Sequence, residues 1–325
     1  MTTGEHQTRD HVAVPMALGA MYFGTRADER TSFELLDRFV AAGGTLIDTA
    51  NNYSFWSSES GFGGQSETVI GRWLSSNPGV RENLLISTKV GAAPTVAGAW
   101  PARREGLSAK AISAGVNGSL DRLQIDWIDL YSAQMEDRSV GLDETVGALG
   151  ELAAAGTVHR LGVSNHPTWR VERARQIAAA RGLVGYTALQ LSYSYLQPRP
   201  LAPVEGQDHR FGFATPETLD YLTENPDIEL WAYSPLLLGS YVRADRSFKE
   251  AYDHPGTRRR LAVLDEVATE LGATRNQVVL AWLTGGHPAI TPIVGCSSVS
   301  QLDEAIAGVT LSLTQEQRKR LDAAT

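Results

Sequence analysis

Short apolar runs alternate along this chain with longer stretches whose apolar side chains recur every three to four residues. The first kind reads as buried strand and the second as amphipathic helix. Strands are expected at residues 16–23, 46–47, 84–89, 125–131, 158–164, 186–191, 228–233 and 290–294. Helices are expected at 31–42, 66–74, 109–123, 142–155, 168–180, 216–222, 257–271, 275–283 and 298–307. Thr31 and Glu34 have capping-box spacing, and glycines close the helical patterns at Gly43, Gly156 and Gly272.

Strands that alternate with helices form parallel sheets joined by crossovers. Eight strands, at least as many helices and no Pro/Ser-rich linker predict an α/β protein: one closed (β/α)8 TIM-type barrel over 14–325, after a polar tail at 1–13. An open doubly wound sheet that binds a dinucleotide would carry G-x-G-x-x-G after its first strand. Gly61-Phe62-Gly63-Gly64 has another spacing and lies before a helix, and the chain has no Walker motif. A nucleotide would therefore be held in another way.

A barrel of this kind carries its site at the C-terminal ends of the strands. Polar residues stand at that end of six successive strands: Asp48, Lys89, Gln134, Ser164 with Asn165, Gln190, and Tyr233 with Ser234. One such residue merely begins a loop. Six around one barrel mouth define a candidate site. The long segments 54–65, 197–214 and 242–254 are expected to wall it, with Phe55, Trp56 and Phe62 next to Tyr53.

Composition narrows the class. Acidic residues outnumber basic ones 37 to 29, for a formal charge of −8, which argues against a nucleic-acid surface. The single cysteine, Cys296, excludes a disulfide framework and points to a reducing compartment. No stretch approaches the ~18 apolar residues of a membrane helix, and the N-terminus lacks a signal-peptide core, so a soluble cytoplasmic protein is expected. His6, His166 and His209 have no metal-ligand spacing, and no metal is expected. Arg258-Arg259-Arg260 reads as a solvated helix face.

Several motifs then fall in a recognisable order. They are Leu18-Gly19-Ala20-Met21, Asp48-Thr49-Ala50-Asn51-Asn52-Tyr53, Ser66-Glu67 with Gly71, and Ser87-Thr88-Lys89. Asp129-Leu130-Tyr131, Leu161-Gly162-Val163-Ser164-Asn165, Ala188-Leu189-Gln190, Ala232-Tyr233-Ser234-Pro235-Leu236 and Ile293-Val294-Gly295 follow. Each is weak alone. Their order and spacing, from about Val14 to the C-terminus, resemble the aldo-keto reductase family.

The resemblance implies a barrel that binds a nicotinamide cofactor, usually NADPH, with NADH as the alternative. Hydride would pass to an aldehyde or ketone, and Tyr53 would protonate the carbonyl oxygen. A free phenol has a pKa of about 10. The ammonium of Lys89 would lower it, and Asp48 would hold Lys89 by a charge-assisted hydrogen bond. Gly19, Ala20, Met21 and Asp48 would border the cofactor. Ser164, Asn165 and Gln190 would hold its carboxamide, and Tyr233 would stack on the nicotinamide ring. Ser234, Leu236 and Gly239 would line the pyrophosphate, and Gly295, Ser297, Gln301 and Glu304 the adenosine. Ser297-Ser298 also suits a helix cap. Tyr22, Phe55 and Trp56 would contact the substrate, whether aryl, alkyl or sugar.

Two departures matter. Gln134 stands where the family has a histidine; it can donate a hydrogen bond but cannot titrate near neutrality. The adenosine end lacks the basic pair that several members place at the 2′-phosphate. An altered histidine position leaves a second reading, a cofactor-binding accessory subunit with little turnover. The intact set of Asp48, Tyr53 and Lys89 favours the enzyme.

Overall fold

The strands of the computed structural model pair in chain order, and the last closes on the first. Residues 14–204 and 211–324 are described. The tail at 1–13 and both His6 and His209 lie outside them. The strands are β1 (Ala17–Gly19), β2 (Leu46–Asp48), β3 (Leu85–Val90), β4 (Ile128–Ala133), β5 (Val158–Ser164), β6 (Tyr186–Ser192), β7 (Glu229–Tyr233) and β8 (Ile290–Val294). Every neighbouring pair is parallel, including β1 with β8, where Ala17 lies opposite Ile293.

Around them run α1 (Glu29–Ala41), α2 (Gln65–Ser76), α3 (Ala109–Leu123), α4 (Leu142–Ala154), α5 (Thr168–Ala180), α6 (Pro216–Glu224), α7 (Pro255–Leu271), α8 (Arg275–Thr284), α9 (Val299–Val309) and α10 (Gln315–Ala323). No described helix is long and apolar enough to cross a membrane.

The inside of the barrel is filled. Ala17, Leu130, Ala188, Trp231 and Ile293 pack there, with Leu46 and Tyr233 against them. Strand side chains pointing the other way meet the helices, in two larger clusters that include Phe39, Trp73, Tyr131 and Leu189. Strands apolar on both faces explain why the sequence shows continuous runs instead of alternation. With the interior packed, only the strand ends are open to a ligand.

Three of the boundaries that move have a plain local cause. The first strand stops at Gly19, because the chain turns at once: Phe23 N–H donates to the Ala20 carbonyl, and Ala27 N–H to that of Tyr22. Helix α1 begins before Thr31. Its cap is Asp28, whose carboxylate accepts from Thr31 N–H at 2.8 Å, while Glu34 pairs with Arg30 instead of completing a capping box. The fourth strand is shifted from 125–131 to Ile128–Ala133, because Gln124 ends α3 in the left-handed conformation and residues 125–127 bring the chain back. That shift puts Gln134 immediately past the strand.

The arginine run does not stay in solvent as a unit. Arg258 pairs with Asp253, but Arg260 turns inward, lies over the Tyr195 ring and donates to the Tyr195 carbonyl at 2.8 Å. The expected glycine stops hold at Gly43, Gly156 and Gly272, all at positive φ.

Candidate active site

Strands β2 and β3 lie side by side with Asp48 opposite Ser87, so the two carry their polar ends to one point. Side chains alternate along a strand, and Ser87 and Lys89 share one face of β3. Both reach Asp48. Ser87 donates to Asp48 Oδ1 at 2.9 Å, and Lys89 Nζ to Oδ2 at 2.7 Å. Gln190, from the end of β6, donates to Oδ1 at 3.2 Å. Lys89 Nζ also donates to the Thr49 carbonyl at 2.6 Å and to the Tyr53 hydroxyl at 3.0 Å.

This ammonium is fully buried, with Asp48 nearly so. A buried charge survives only when paired and hydrogen-bonded, and Lys89 has all three donors engaged. Burial opposes its charge, but Asp48 and Tyr53 outweigh burial and leave its pKa above the ordinary lysine value. The Tyr53 phenol goes up as well. Burial is the largest influence, the Lys89 charge offsets part of it, and the Asp48 charge adds to it. This corrects the expectation of a lowered phenol pKa: a ring removed from water loses more phenolate stabilisation than one partly neutralised ammonium returns.

The other strand ends form a second network. Asn165, at a positive φ of 58°, donates from Nδ2 to the Gln134 carbonyl and to Ser164 Oγ, both at 3.0 Å. Its Oδ1 accepts from the Tyr233 hydroxyl at 2.8 Å, which also reaches the Gly212 carbonyl at 3.1 Å. Gln134 is held through its backbone, whose N–H donates to the Val90 carbonyl at 2.8 Å, and its side-chain Oε1 is buried without a hydrogen-bond partner. His166 belongs to this network through Nδ1, 2.8 Å from the Ser164 carbonyl.

Beyond β7 the backbone is strained. Ser234, Leu237 and Leu238 have φ of 53°, 47° and 58°, followed by Gly239 at 91°. Left-handed turns of non-glycine residues cost of order 1–3 kcal/mol each and cluster where ligands are held. Leu236 lies between them. At β8, Gly19 and Gly295 approach closely: a Cβ on Gly19 would stand 3.3 Å from the Gly295 nitrogen. Ser298 caps α9 by accepting from Gln301 N–H, and Gln301 Oε1 accepts from Ser297 N–H at 2.8 Å and Oγ at 3.0 Å. Glu304 accepts from Thr274 at 2.6 Å and from Asn276 at 3.3 Å. Ala20 N–H donates to the Asp48 carbonyl, and the Met21 carbonyl accepts from Ser54, joining the β1 loop to this mouth.

Of the aromatic residues expected beside Tyr53, Phe55 and Trp56 pack together, and Tyr22 and Trp100 join them. Tyr22, Phe55 and Trp56 make edge contacts at 6.4 and 5.0 Å between centroids. Trp100, from the β3–α3 loop, packs on Phe55 at 5.6 Å. Phe62 is exposed and stands outside this stack. A Cβ at Gly63 would come within 2.4 Å of the Asn52 backbone, so the loop after Tyr53 lies on that segment only because residue 63 is glycine. Segments 193–204 and 241–254 pack together, with Tyr241 bonded to Ser194 at 2.7 Å and His254 to the Gln197 carbonyl at 3.0 Å.

Sequence reading missed Ser87, Trp100 and Glu105, whose carboxylate accepts from Asn51 at 2.9 Å. Ser87 was findable, since it is two residues before Lys89 on a strand. The other two lie in loops that carry no periodicity.

The closed parallel barrel, with the family it matches, defines an NAD(P)H-dependent oxidoreductase. The chain is a member of the Aldo/keto reductase family, whose model matches residues 15–325. It is 30% identical over 321 residues to norsolorinic acid reductase stcV of Emericella nidulans, covering 93% of this chain and 76% of that protein. It is 31% identical to the uncharacterized oxidoreductase YrpG of Bacillus subtilis, covering 94% and 90%. An aryl-alcohol dehydrogenase of Pestalotiopsis microspora is 27% identical, covering 95% and 78%.

Proposed function

We propose that this chain reduces an aryl aldehyde or aryl ketone with NADPH, and that Tyr53 supplies the proton. One observation carries the reading: a buried Lys89 Nζ bonded at once to Asp48 at 2.7 Å and to the Tyr53 hydroxyl at 3.0 Å. A structural lysine would not be withdrawn from water to contact a phenol at a barrel mouth. The raised phenol is protonated at neutral pH, the form that a proton donor requires. Lys89 then stabilises the phenolate that remains after transfer, and Asp48 keeps Lys89 in place.

NADPH, when bound, supplies the hydride. The residues suited to hold it are Ser164, Asn165 and Gln190 at the carboxamide and Tyr233 against the ring. Ser234, Leu236 and Gly239 suit the pyrophosphate, in the left-handed turn that follows β7. Gly19, Ala20 and Met21 border the ring from β1. Gly295, Ser297, Gln301 and Glu304 suit the adenosine, with the N-terminus of α9 facing its phosphate. Gln134, immediately past β4, would donate from its amide to the substrate oxygen without exchanging a proton.

The aryl preference follows from Tyr22, Phe55, Trp56 and Trp100 lining one side of the mouth, and agrees with the name of the aryl-alcohol dehydrogenase relative. The test is loss of NADPH absorbance with a panel of aryl, alkyl and sugar carbonyls, each repeated with NADH. Turnover of aryl substrates that disappears in Tyr53→Phe supports the reading. Tight NADPH binding without turnover of any carbonyl overturns it in favour of an accessory subunit.

A further inference from the structure

We propose that Glu105 is a positioning residue for the Tyr53–Lys89 pair, and that turnover requires its carboxylate ionised. The inference rests on the proposed role of Tyr53 as proton donor. Glu105 lies in the β3–α3 loop, beside the ends of β2 and β3, and touches none of Asp48, Tyr53 and Lys89.

Its contacts join the two segments that carry the pair. Oε1 accepts from Gly91 N–H at 2.6 Å and Ala93 N–H at 3.1 Å, both just past β3 and Lys89. The same oxygen accepts from Asn51 Nδ2 at 2.9 Å, and Oε2 from that nitrogen at 3.2 Å. Asn51 sits between Asp48 and Tyr53, its N–H donates to the Lys89 carbonyl at 3.2 Å, and Tyr53 N–H donates back to Ala50. One carboxylate thus fastens the end of β2 to the end of β3, where a phenol and an ammonium must meet. The Ala92 carbonyl reinforces the join, accepting from Trp100 Nε1 at 3.0 Å and Asn52 Nδ2 at 3.5 Å.

Ionisation matters because all these partners are donors. A protonated Glu105 would turn one acceptor into a donor facing the Asn51 amide. Asn51 Oδ1 is buried and has no hydrogen-bond partner, so turning that amide end for end would let Oδ1 accept the new proton. The clamp therefore has two arrangements, selected by one proton. Burial raises the Glu105 pKa, and the bonds from Asn51, Gly91 and Ala93 and the charge of Arg122 offset only part of this. The charged or titratable groups facing it are Arg122 from α3, itself paired with Glu67, and the Tyr131 phenol from β4.

The experiment compares Glu105→Ala and Glu105→Gln in the full chain. Glu105→Ala is expected to lower kcat about 10- to 100-fold with KM for NADPH within about threefold, since misplacement by about an ångström costs that much. Glu105→Gln, which presents a donor to Asn51 at every pH as protonated Glu105 does, is expected to hold kcat about 10-fold or more below wild type at neutral pH and to lose the acidic limb of the wild-type pH profile. A second readout needs no turnover. The phenolate absorbance of each protein minus that of its Tyr53→Phe counterpart reports Tyr53 alone. In Glu105→Ala it should titrate about one pH unit higher, as Lys89 withdraws, and in Glu105→Gln it should move in the same direction. An acidic limb unchanged in Glu105→Gln overturns the inference, as does a folded Glu105→Ala whose Tyr53 titration is unmoved. If Glu105→Ala does not fold, the Glu105→Gln profile decides. If no carbonyl is turned over, the proposed function fails, while the Tyr53 titration still tests Glu105.

Discussion

Lys89 Nζ stands 3.0 Å from the Tyr53 hydroxyl oxygen and 2.7 Å from Asp48, with no water-exposed surface on the lysine side chain. The same ammonium thus bears on stability and on chemistry, and substitution can separate the two. Lys89→Met leaves Asp48 buried without its counter-ion, which costs about 3–5 kcal/mol. Adding Asp48→Asn removes the stranded charge and should return most of that stability. Neither protein recovers the lysine beside Tyr53, so turnover should stay down by about 10²–10⁴ in both. Urea unfolding and steady-state rates on the two variants check this. A double variant as unstable as the single one would show that charge pairing is not what Lys89 contributes to folding.

Burial of neutral phenols sets a limit at high pH. Burial pushes Tyr195 and Tyr252 up to about 12, from an ordinary value of 10.0. Tyr53, Tyr186 and Tyr241 are raised too, again by burial first, and the Cys296 thiol goes from 9.0 up to about 12. In every case the unfolded chain releases its proton first as pH rises. The stability these groups contribute is therefore complete below the unfolded values and is lost as pH climbs through them toward the folded ones. The urea midpoint should be flat to about pH 8.5 and fall steeply between about pH 9.5 and 11. A flat midpoint through pH 11 would contradict the shifts, and Tyr195→Phe should make the fall shallower.

What the sequence made legible follows from what repeats. Each strand is covered on both faces, so the eight apolar runs were visible without knowledge of the fold. The polar strand ends were visible because a packed barrel interior leaves them nowhere else to go. Boundaries set by a single residue conformation were not visible: Gln124 ends α3 at φ 56° and delays β4. Glu105 was hidden for a different reason. In Arg103-Arg104-Glu105 it reads as one more surface charge, and only the fold brings Gly91, Ala93 and Asn51 to it. The direction of the Tyr53 shift was missed because burial is a property of the folded loop, whereas the Lys89 charge could be anticipated from the motif.

Trp100 should act on selection of substrate more than on chemistry. Its ring packs 5.6 Å from that of Phe55, and its indole N–H is tied to the Ala92 carbonyl, so its position is fixed. Trp100→Ala is expected to raise KM for aryl aldehydes about tenfold, the worth of one aromatic contact, and to leave short aliphatic aldehydes nearly unchanged. Equal effects on both classes would remove Trp100 from the substrate wall.

The adenosine end offers a test of cofactor preference that does not depend on turnover. Gln301 already accepts from Ser297, and a neutral amide holds a 2′-phosphate less firmly than a guanidinium does. Gln301→Arg should tighten NADPH about tenfold, the worth of a charge-assisted bond, while NADH binding changes by less than about twofold. Fluorescence titration with the two nucleotides measures this. Equal gains for both would mean that residue 301 does not face the 2′ position.

Gln134 can donate a hydrogen bond but cannot titrate near neutral pH. Its backbone is fixed by Val90 and Asn165, so a histidine introduced here begins from a held main chain. The Oε1 atom of Gln134 is buried and without a partner, so replacing the amide breaks no side-chain hydrogen bond through that oxygen. On the proposed reading, Gln134→His sets an imidazole, of ordinary pKa about 6.5, near the reacting oxygen. Neutral, it donates one hydrogen bond to the substrate oxygen, as the glutamine amide does. Protonated, it adds a positive charge where negative charge develops, worth about 10-fold or more in rate. Turnover of Gln134→His should therefore exceed wild type below about pH 6.5 and converge with it above about pH 8. Protonated imidazole would also draw Tyr53 toward phenolate, so the gain should be largest for activated aldehydes, which need the least proton donation. Rates of the two proteins from pH 5.5 to 8.5, on one activated and one unactivated aldehyde, decide it. Parallel profiles would mean that residue 134 does not reach the reacting oxygen, and Tyr53 would then be its sole side-chain donor.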